Sequence, residues 1–464
     1  MRRSVWVAQP LAIAALILYV LAVAALAPAL QEVARAAPAM VGALLALAPA
    51  LLWFVLFYVQ DHREPEPLVY VLRVGAAGAV LAAGVAMPVM HRTSVSTVLA
   101  TADPLAAVAV AVLLVGALQQ FCLYLAVRYL VVDVPEFDEV ADGFVYGTAA
   151  GLGLATALTL DVVARGGGLD PVPAALAAVV TALALAASGG VLGYWMGRAK
   201  LRGEPFAAST GFLLSAMLNG IVAYALREVS YAGLTHRPWT GLVVAAAVAG
   251  AVTVVLFRAV RAAGPEAVQG ADVDAHPPEA GRAAPFVWMT VAVMVGAGWA
   301  LAGAVEARTV LFADPQGPLR LRYPAAWFAV PGSPNLLEVQ DPLSGAAFPA
   351  GLIVTREPRP PDRTLDQIVR DGVLARVERL AMYRVLRERP VRVAGQESVA
   401  VEYAFVADPH HAVVAAERVP VVVWGKEVVV PAGGVVYRID LRAVVHQEDR
   451  ARMLLTRVLR TAQF

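Results

Sequence analysis

Nine apolar runs of about 20 residues each constrain this chain more than anything else in its sequence. They lie at Pro10–Leu30, Pro38–Val59, Leu68–Met90, Leu105–Val132, Val140–Val163, Val172–Met196, Phe206–Leu226, Trp239–Val260 and Pro285–Val305. At about 1.5 Å of rise per residue, each is long enough to cross a hydrocarbon core of about 30 Å. No water there satisfies a peptide group, so each run has to be a helix. The expected fold class is a multi-spanning α-helical membrane bundle of about nine helices, followed by a C-terminal soluble α+β domain with an antiparallel sheet. Arg2 and Arg3 ahead of the first run, with Ala25-Leu26-Ala27 behind it, have the outline of a signal peptide. The run is longer than such a segment needs and more spans follow, so it reads as a retained first helix.

Only 16% of the 464 residues are charged, against roughly 25% in ordinary soluble domains. The deficit sits before about Ala263, whereas Arg308–Phe464 has soluble composition, so two solvents are implied. A net charge of +1 sets up no field that would draw in nucleic acid. The expected partners are the lipid bilayer and a membrane protein, with the ligand of the outer domain unnamed. Cys122 is the single cysteine, so an internal disulfide is excluded.

Orientation follows from the basic residues flanking the spans. With the N-terminus inside, the cytoplasmic segments hold Arg2, Arg3, Arg63, Arg128, Arg198, Lys200, Arg202, Arg258, Arg261 and Arg282. The other side holds Arg35, Arg92, Arg165, Arg227 and Arg237. The bias predicts a cytoplasmic N-terminus in a bacterial plasma membrane, and an odd number of spans then places the C-terminal domain outside. The domain plan is a membrane region over residues 1–261, a flexible linker over 262–284, a last membrane helix over 285–305 and an outer domain over 306–464. In that domain strands are expected at Leu319–Tyr323, Ala350–Thr355, Arg384–Val393, Val399–Val406, Val421–Val430 and Val435–Ala443. Leu365, Ile368, Val369, Val373, Val377 and Leu380 have helical spacing, and Met453, Leu454, Val458 and Leu459 mark a closing helix.

Three motifs in the membrane region occur together. The first is Asp61-His62-Arg63-Glu64-Pro65-Glu66-Pro67. The second is Asp142-Gly143-Phe144-Val145-Tyr146-Gly147 running into Gly151-Leu152-Gly153-Leu154-Ala155. The third is Gly193-Tyr194-Trp195-Met196-Gly197. In order and spacing, across roughly Ala50 to Leu226, they resemble the PrsW family, whose active members are intramembrane metalloproteases. The resemblance implies a Glu-Glu-x-x-Lys motif on the helix before the second motif, but those positions hold Gln119, Gln120 and Leu123. The family's Glu-Asn pair falls on Leu158 and Thr159, and its two histidines fall near Leu185 and on Asn219.

A catalytic zinc needs about three ligands from His, Glu, Asp or Cys and an open position. The seven histidines, His62, His91, His236, His276, His410, His411 and His446, all lie away from the middle of the spans. An amide neither acts as a hydrolytic base nor balances a dication's charge. The expectation is therefore a pseudoprotease with no cofactor and no metal ligands. The alternative is an active protease with a rearranged site, which would hold zinc through groups such as Asp142, Cys122, His62 or Glu64. A transporter has less support, since internal repeats and charges within the spans are scarce.

Each candidate residue also has a plain structural reading. Asp142 is either a buried functional carboxylate or a helix-start residue beside Asp133, Glu136, Asp138 and Glu139. Gln119, Gln120 and Asn219 either line a polar cavity or bond helix to helix, while Gly143, Gly147 and Gly151 mark one closely packed helix face. Gly166-Gly167-Gly168 lacks the lysine and hydroxyl of a phosphate loop and reads as a connection. In the outer domain, Arg322-Tyr323-Pro324-x-x-Trp327, Asp341-Pro342, Gly395, Val401-Glu402-Tyr403 and Val436-Tyr437-Arg438-Ile439 resemble the PsbP/Mog1-like group of small α+β domains. That resemblance implies a binding or assembly module.

Overall fold

The structure is a computed structural model that describes residues 3–60, 67–92, 95, 99, 104–165, 171–204, 206–232, 235–236, 238–262, 280–341, 348–407 and 421–464. It divides into two compact units, one taking in the membrane helices as far as Ala302, the other the chain from Gly303 onward.

In the first unit the described helices are α1 (Arg3–Ala25), α2 (Ala27–Ala36), α3 (Pro38–Gln60), α4 (Leu68–Leu81) and α5 (Met87–Arg92). They continue with α6 (Pro104–Val110), α7 (Ala117–Leu130), α8 (Val140–Arg165), α9 (Pro171–Arg202), α10 (Ala207–Ser230), α11 (Pro238–Ala262) and α12 (Ala280–Glu306). A π-helical segment, Ala82–Ala86, joins α4 to α5, and another, Ala111–Gly116, joins α6 to α7. Between α10 and α11 the two-residue strands β1 (Tyr231–Ala232) and β2 (Thr235–His236) pair antiparallel. Among the described residues eight helices are long and apolar enough to span, and a shorter apolar segment, Met40–Leu56, lies within α3.

Proline marks where several helices begin. α3, α6, α9 and α11 each open on one, where the missing N–H would have had no helical partner. The same chemistry divides the first apolar run, expected to be one span over Pro10–Leu30. The chain turns at Leu26, and α2 starts with Pro28 in its first turn. At the other end, α12 begins at Ala280, five residues before the expected Pro285. Residues 263–279 of the expected linker lie outside the described residues, as do the loop His62–Glu66, Gly166-Gly167-Gly168 and His410-His411.

α8 and α9 are the most deeply buried helices, and glycine sets their distance. A Cβ on Gly143 would stand 2.2 Å from the Gly193 carbonyl oxygen, one on Gly147 2.1 Å from that of Gly189, and one on Gly151 2.2 Å from that of Leu185. The contacts are reciprocal, since a Cβ on Gly193 would meet the Gly143 oxygen at 1.8 Å. The other side of α8 packs on α4 in the same way, through Gly153 against Gly75 and Gly78 against Ala150. Lipid does not drive helices together as water does, so backbone contact made possible by small residues is what holds such a bundle.

The second unit contains β3 (Thr309–Ala313), β4 (Arg320–Pro324), β5 (Phe328–Ala329), β6 (Leu337–Gln340), β7 (Gly351–Pro358), α13 (Leu365–Arg379), β8 (Arg384–Val393), β9 (Gln396–Ala407), β10 (Val421–Ala432), β11 (Val435–Val444) and α14 (Glu448–Thr461). Seven strands form one antiparallel sheet in the order β5-β6-β7-β11-β10-β9-β8, and β3 pairs with β4 apart from it. The six expected strands are present, with ends within three residues of those expected, and both helices fall where their spacing put them. Side chains alternate along each strand. Val428 and Val430 join Trp424, Leu455 and Val458 on the α14 face. Val429 joins Val401, Ile368 and Val369 on the α13 face. Gly433 and Gly434 turn β10 into β11 with φ of +60° and +81°, the left-handed pair that a tight hairpin requires.

Three of the carboxylates buried in this domain are held by cations or a hydroxyl. Glu402, 4% exposed, accepts two 2.8 Å hydrogen bonds from Arg452 and lies 3.0 Å from Lys426. The Arg452 hydrogen bonds, with Lys426 beside them, hold its carboxyl down at about 2 against the opposing effect of burial. Glu427 sits between Arg376 and Arg438, and the Tyr403 hydroxyl donates to Asp440 at 2.8 Å.

Candidate functional site

The residues singled out in the membrane region fall on α7 to α10, where the glycine seam makes the bundle tightest. Asn219 on α10 donates its side-chain N–H to Gln119 Oε1 on α7 at 2.7 Å, and both side chains are buried. One residue along, about 100° around the helix, Gln120 points to α9 and donates to Ser188 Oγ at 2.9 Å. Ser188 in turn donates to the Ala184 carbonyl at 3.0 Å. The chain of bonds stops at Gln120, because its Oε1 is buried with no hydrogen-bond partner among the described residues. The same holds for Thr148 Oγ1 on α8. Leaving such an atom unpaired costs about 1–3 kcal/mol.

Beside this network is a cavity of about 330 Å³. Gln119 of α7, Leu158 of α8, Leu185 of α9 and Asn219 of α10 all line it. Four of the seven positions to which the family resemblance assigns catalytic side chains therefore converge on one hollow from four helices. The remaining three are elsewhere. Gln120 bonds Ser188, Leu123 packs its Cδ2 on Gly189, and the Thr159 hydroxyl is bonded to the Ala155 carbonyl at 2.9 Å. The rest of the wall is mainly alkyl, with Thr181 along it and Arg227 at one end. Arg227 is paired with Glu228 at 3.0 Å. Amides and alkyl groups can orient and exclude, but they cannot take up a proton near neutral pH.

Asp142 is not part of this hollow. It is fully buried, and its Oδ2 accepts the backbone N–H groups of Asp138 at 3.1 Å and Glu139 at 2.6 Å, tying the preceding turn to the start of α8. Leu158 lies 16 positions further along the same helix, about 24 Å away at 1.5 Å per residue. Lys200 seals the same end, donating to the Val134 carbonyl at 2.9 Å with its ammonium 4.9 Å from the centre of the Phe137 ring. Cys122 is buried with its Sγ 3.6 Å from the Leu81 carbonyl oxygen. Among the described residues no group of three or more His, Cys, Asp or Glu side chains is placed to hold a metal ion. The histidine side chains lie outside those described.

Several contributors were not foreseen. Ser188 accepts from Gln120, Thr148 stands against Gly190, and Gly189 complements Gly147. Gly189, Gly193 and Gly197 recur every four residues, a second small-residue stripe matching that on α8. That spacing was the available signal.

A bundle with this glycine-locked centre and a hollow reached from four helices defines a polytopic integral membrane protein with an internal site. Over 183 residues the chain is 30% identical to Protease PrsW of Geobacillus kaustophilus (strain HTA426), a match covering 39% of this chain and 77% of that protein. The chain belongs to the PrsW family. No family profile matches it. Similar solved structures include cyanobacterial PsbP (CyanoP) from Synechocystis sp. PCC 6803, at 18% identity over 34% of this chain and 92% of that one, with a TM-score of 0.26. Another is LpqN, involved in cell envelope biogenesis of Mycobacterium tuberculosis, at 12% identity over 34% of this chain and 90% of that one, also with a TM-score of 0.26. The fold of the C-terminal domain rests on its own strand order.

Proposed function

We propose that this PrsW-family protein has given up peptide hydrolysis and uses its bundle to hold a transmembrane segment of a partner protein, while the domain after α12 binds a ligand on the extracytoplasmic side. One observation carries the reading. The hollow onto which Gln119, Leu158, Leu185 and Asn219 converge offers amide and alkyl groups where the family resemblance calls for carboxylates and imidazoles. A site of that composition recognises by shape and by amide hydrogen bonds, and in hydrocarbon the chemistry it suits is another helix. The excess of basic residues on one side of the spans supports a cytoplasmic N-terminus.

The test uses the whole chain, purified in detergent and reconstituted in liposomes. Metal content, cleavage of membrane-embedded substrates and capture by a photo-crosslinking residue at Leu158 or Leu185 are measured together. The expected result is no bound zinc, no released fragment and a crosslink to a transmembrane segment. Stoichiometric zinc, or a fragment whose release a chelator stops, overturns the proposal.

A further inference from the structure

The outer domain carries a basic surface that the proposed function does not use. Arg452, Met453, Thr456, Arg457 and Arg460 of α14 line a hollow of about 380 Å³ on the domain's exterior. Beyond the first turn of α14, which holds Glu448 and Asp449, every charged residue of that helix is arginine. β4 extends the surface, since the Arg322 N–H is bonded to Thr461 Oγ1 at 2.9 Å and Arg320 exchanges two 2.8 Å backbone hydrogen bonds with Gln463. Arg320, Arg457 and Arg460 are exposed and have no ion-pair partner among the described residues. The helix dipole accounts for basic residues in the last turn of α14, but not for two arginines on a strand beside it.

Chain connectivity indicates what lies opposite. Only Ala307 and Arg308 separate the end of α12 from Thr309, so Thr309 lies within about 11 Å of the end of a membrane-spanning helix. Arg322 reaches Thr309 Oγ1 at 3.4 Å, so the basic surface begins only a few residues along the chain from that helix. Met453 is 68% exposed and Leu311 54% exposed, apolar side chains of the kind that settle into a lipid interface. We propose that α14 and β4 form a surface that seats on anionic phospholipid headgroups of the leaflet from which α12 emerges. The claim is independent of which side of the membrane that is.

The experiment places the whole chain, in a Cys122→Ala background with a polarity-sensitive dye on Met453→Cys, into nanodiscs of zwitterionic lipid or of lipid enriched in phosphatidylglycerol. Quenching by lipid carrying a headgroup spin label is the readout. Each arginine near an anionic surface contributes about a fivefold factor. The Arg457→Glu/Arg460→Glu variant, which loses both factors and adds two repelled charges, should therefore weaken docking by at least about 25-fold and lose the quenching seen in anionic discs. High salt should abolish it as well. Arg370→Glu/Arg379→Glu, which reverses two exposed charges on the opposite helix α13, should retain it and also reports that the domain is folded. Equal quenching in both kinds of disc, or quenching indifferent to Arg457 and Arg460, overturns the proposal. So does glycerol phosphate added to zwitterionic discs, if it alters the dye as anionic lipid does, since the site would then be one for soluble anions.

Discussion

Gly147→Ala and Gly250→Ala make the same chemical change in two membrane helices and should have opposite effects. At Gly147 the added methyl would stand 2.1 Å from the Gly189 carbonyl oxygen and 3.0 Å from the Gly193 Cα, where ordinary contact begins at 3.4 Å. A backbone oxygen cannot swing aside, so α8 and α9 have to separate by more than 1 Å at their closest point, which forfeits a large part of the dispersion energy along the seam. Overpacking of this sort costs about 1–3 kcal/mol. At Gly250 nothing lies within 4 Å of the new atom. The gain in helix propensity, about 1 kcal/mol at most, is common to both variants and cancels in their difference. Gly147→Ala should thus be about 1–3 kcal/mol less stable than Gly250→Ala, read as a lower unfolding midpoint of the full chain in detergent. Equal midpoints would refute the view that backbone contact holds α8 to α9.

Other outcomes test other parts of the molecule. Glu402 goes from 4.5 to about 2 on folding, so the stability it contributes, about 3 kcal/mol, is complete above pH 4.5 and drains away as the pH falls toward 2. Acid unfolding of the C-terminal domain, followed by hydrogen exchange in β9 and β10, should lose that component in Glu402→Gln, and an unchanged acid profile refutes it. For Gln119→Leu and Asn219→Leu, a double-mutant cycle in detergent should give a coupling of about 0.6–1.7 kcal/mol; a coupling of zero would mean that the 2.7 Å hydrogen bond between them contributes nothing. Thr364 caps α13 by accepting the Gln367 N–H while Gln367 accepts its own. Thr364→Ala should destabilise the C-terminal domain by about 1 kcal/mol, and Thr364→Asp should restore it.

The spans were legible because hydrocarbon leaves the backbone one choice, and the C-terminal sheet because β-branched runs such as Val421–Val430 are bounded by glycine or proline. β5, two residues long, and β6, four residues long, were not, since strands so short carry no readable alternation. At the site, resemblance to a family identified positions 119, 158, 185 and 219, but not that they share a hollow, because convergence from four helices is a property of packing and not of spacing. Asp142 shows the reverse case. The sequence left it open as a functional carboxylate or a helix-start residue, and its engagement with the N–H groups of Asp138 and Glu139 agrees with the second, through a bond that depends on the path of the preceding turn. The π-helical segments left no trace in composition, since Ala111–Gly116 reads as ordinary helix.

That segment has a mechanical consequence for the residues after it. A widened turn holds one residue more than the regular helix would need to cover the same rise. Removing one residue from Ala111–Gly116 would let the turn close up and leave Gln119 still aimed at Asn219. Removing one from the regular stretch that begins at Ala117 would swing everything beyond it by about 100° and carry Gln120 off Ser188. The bundle thus has slack at one place along this helix, just ahead of the amides, where a residue can be gained or lost without turning them away.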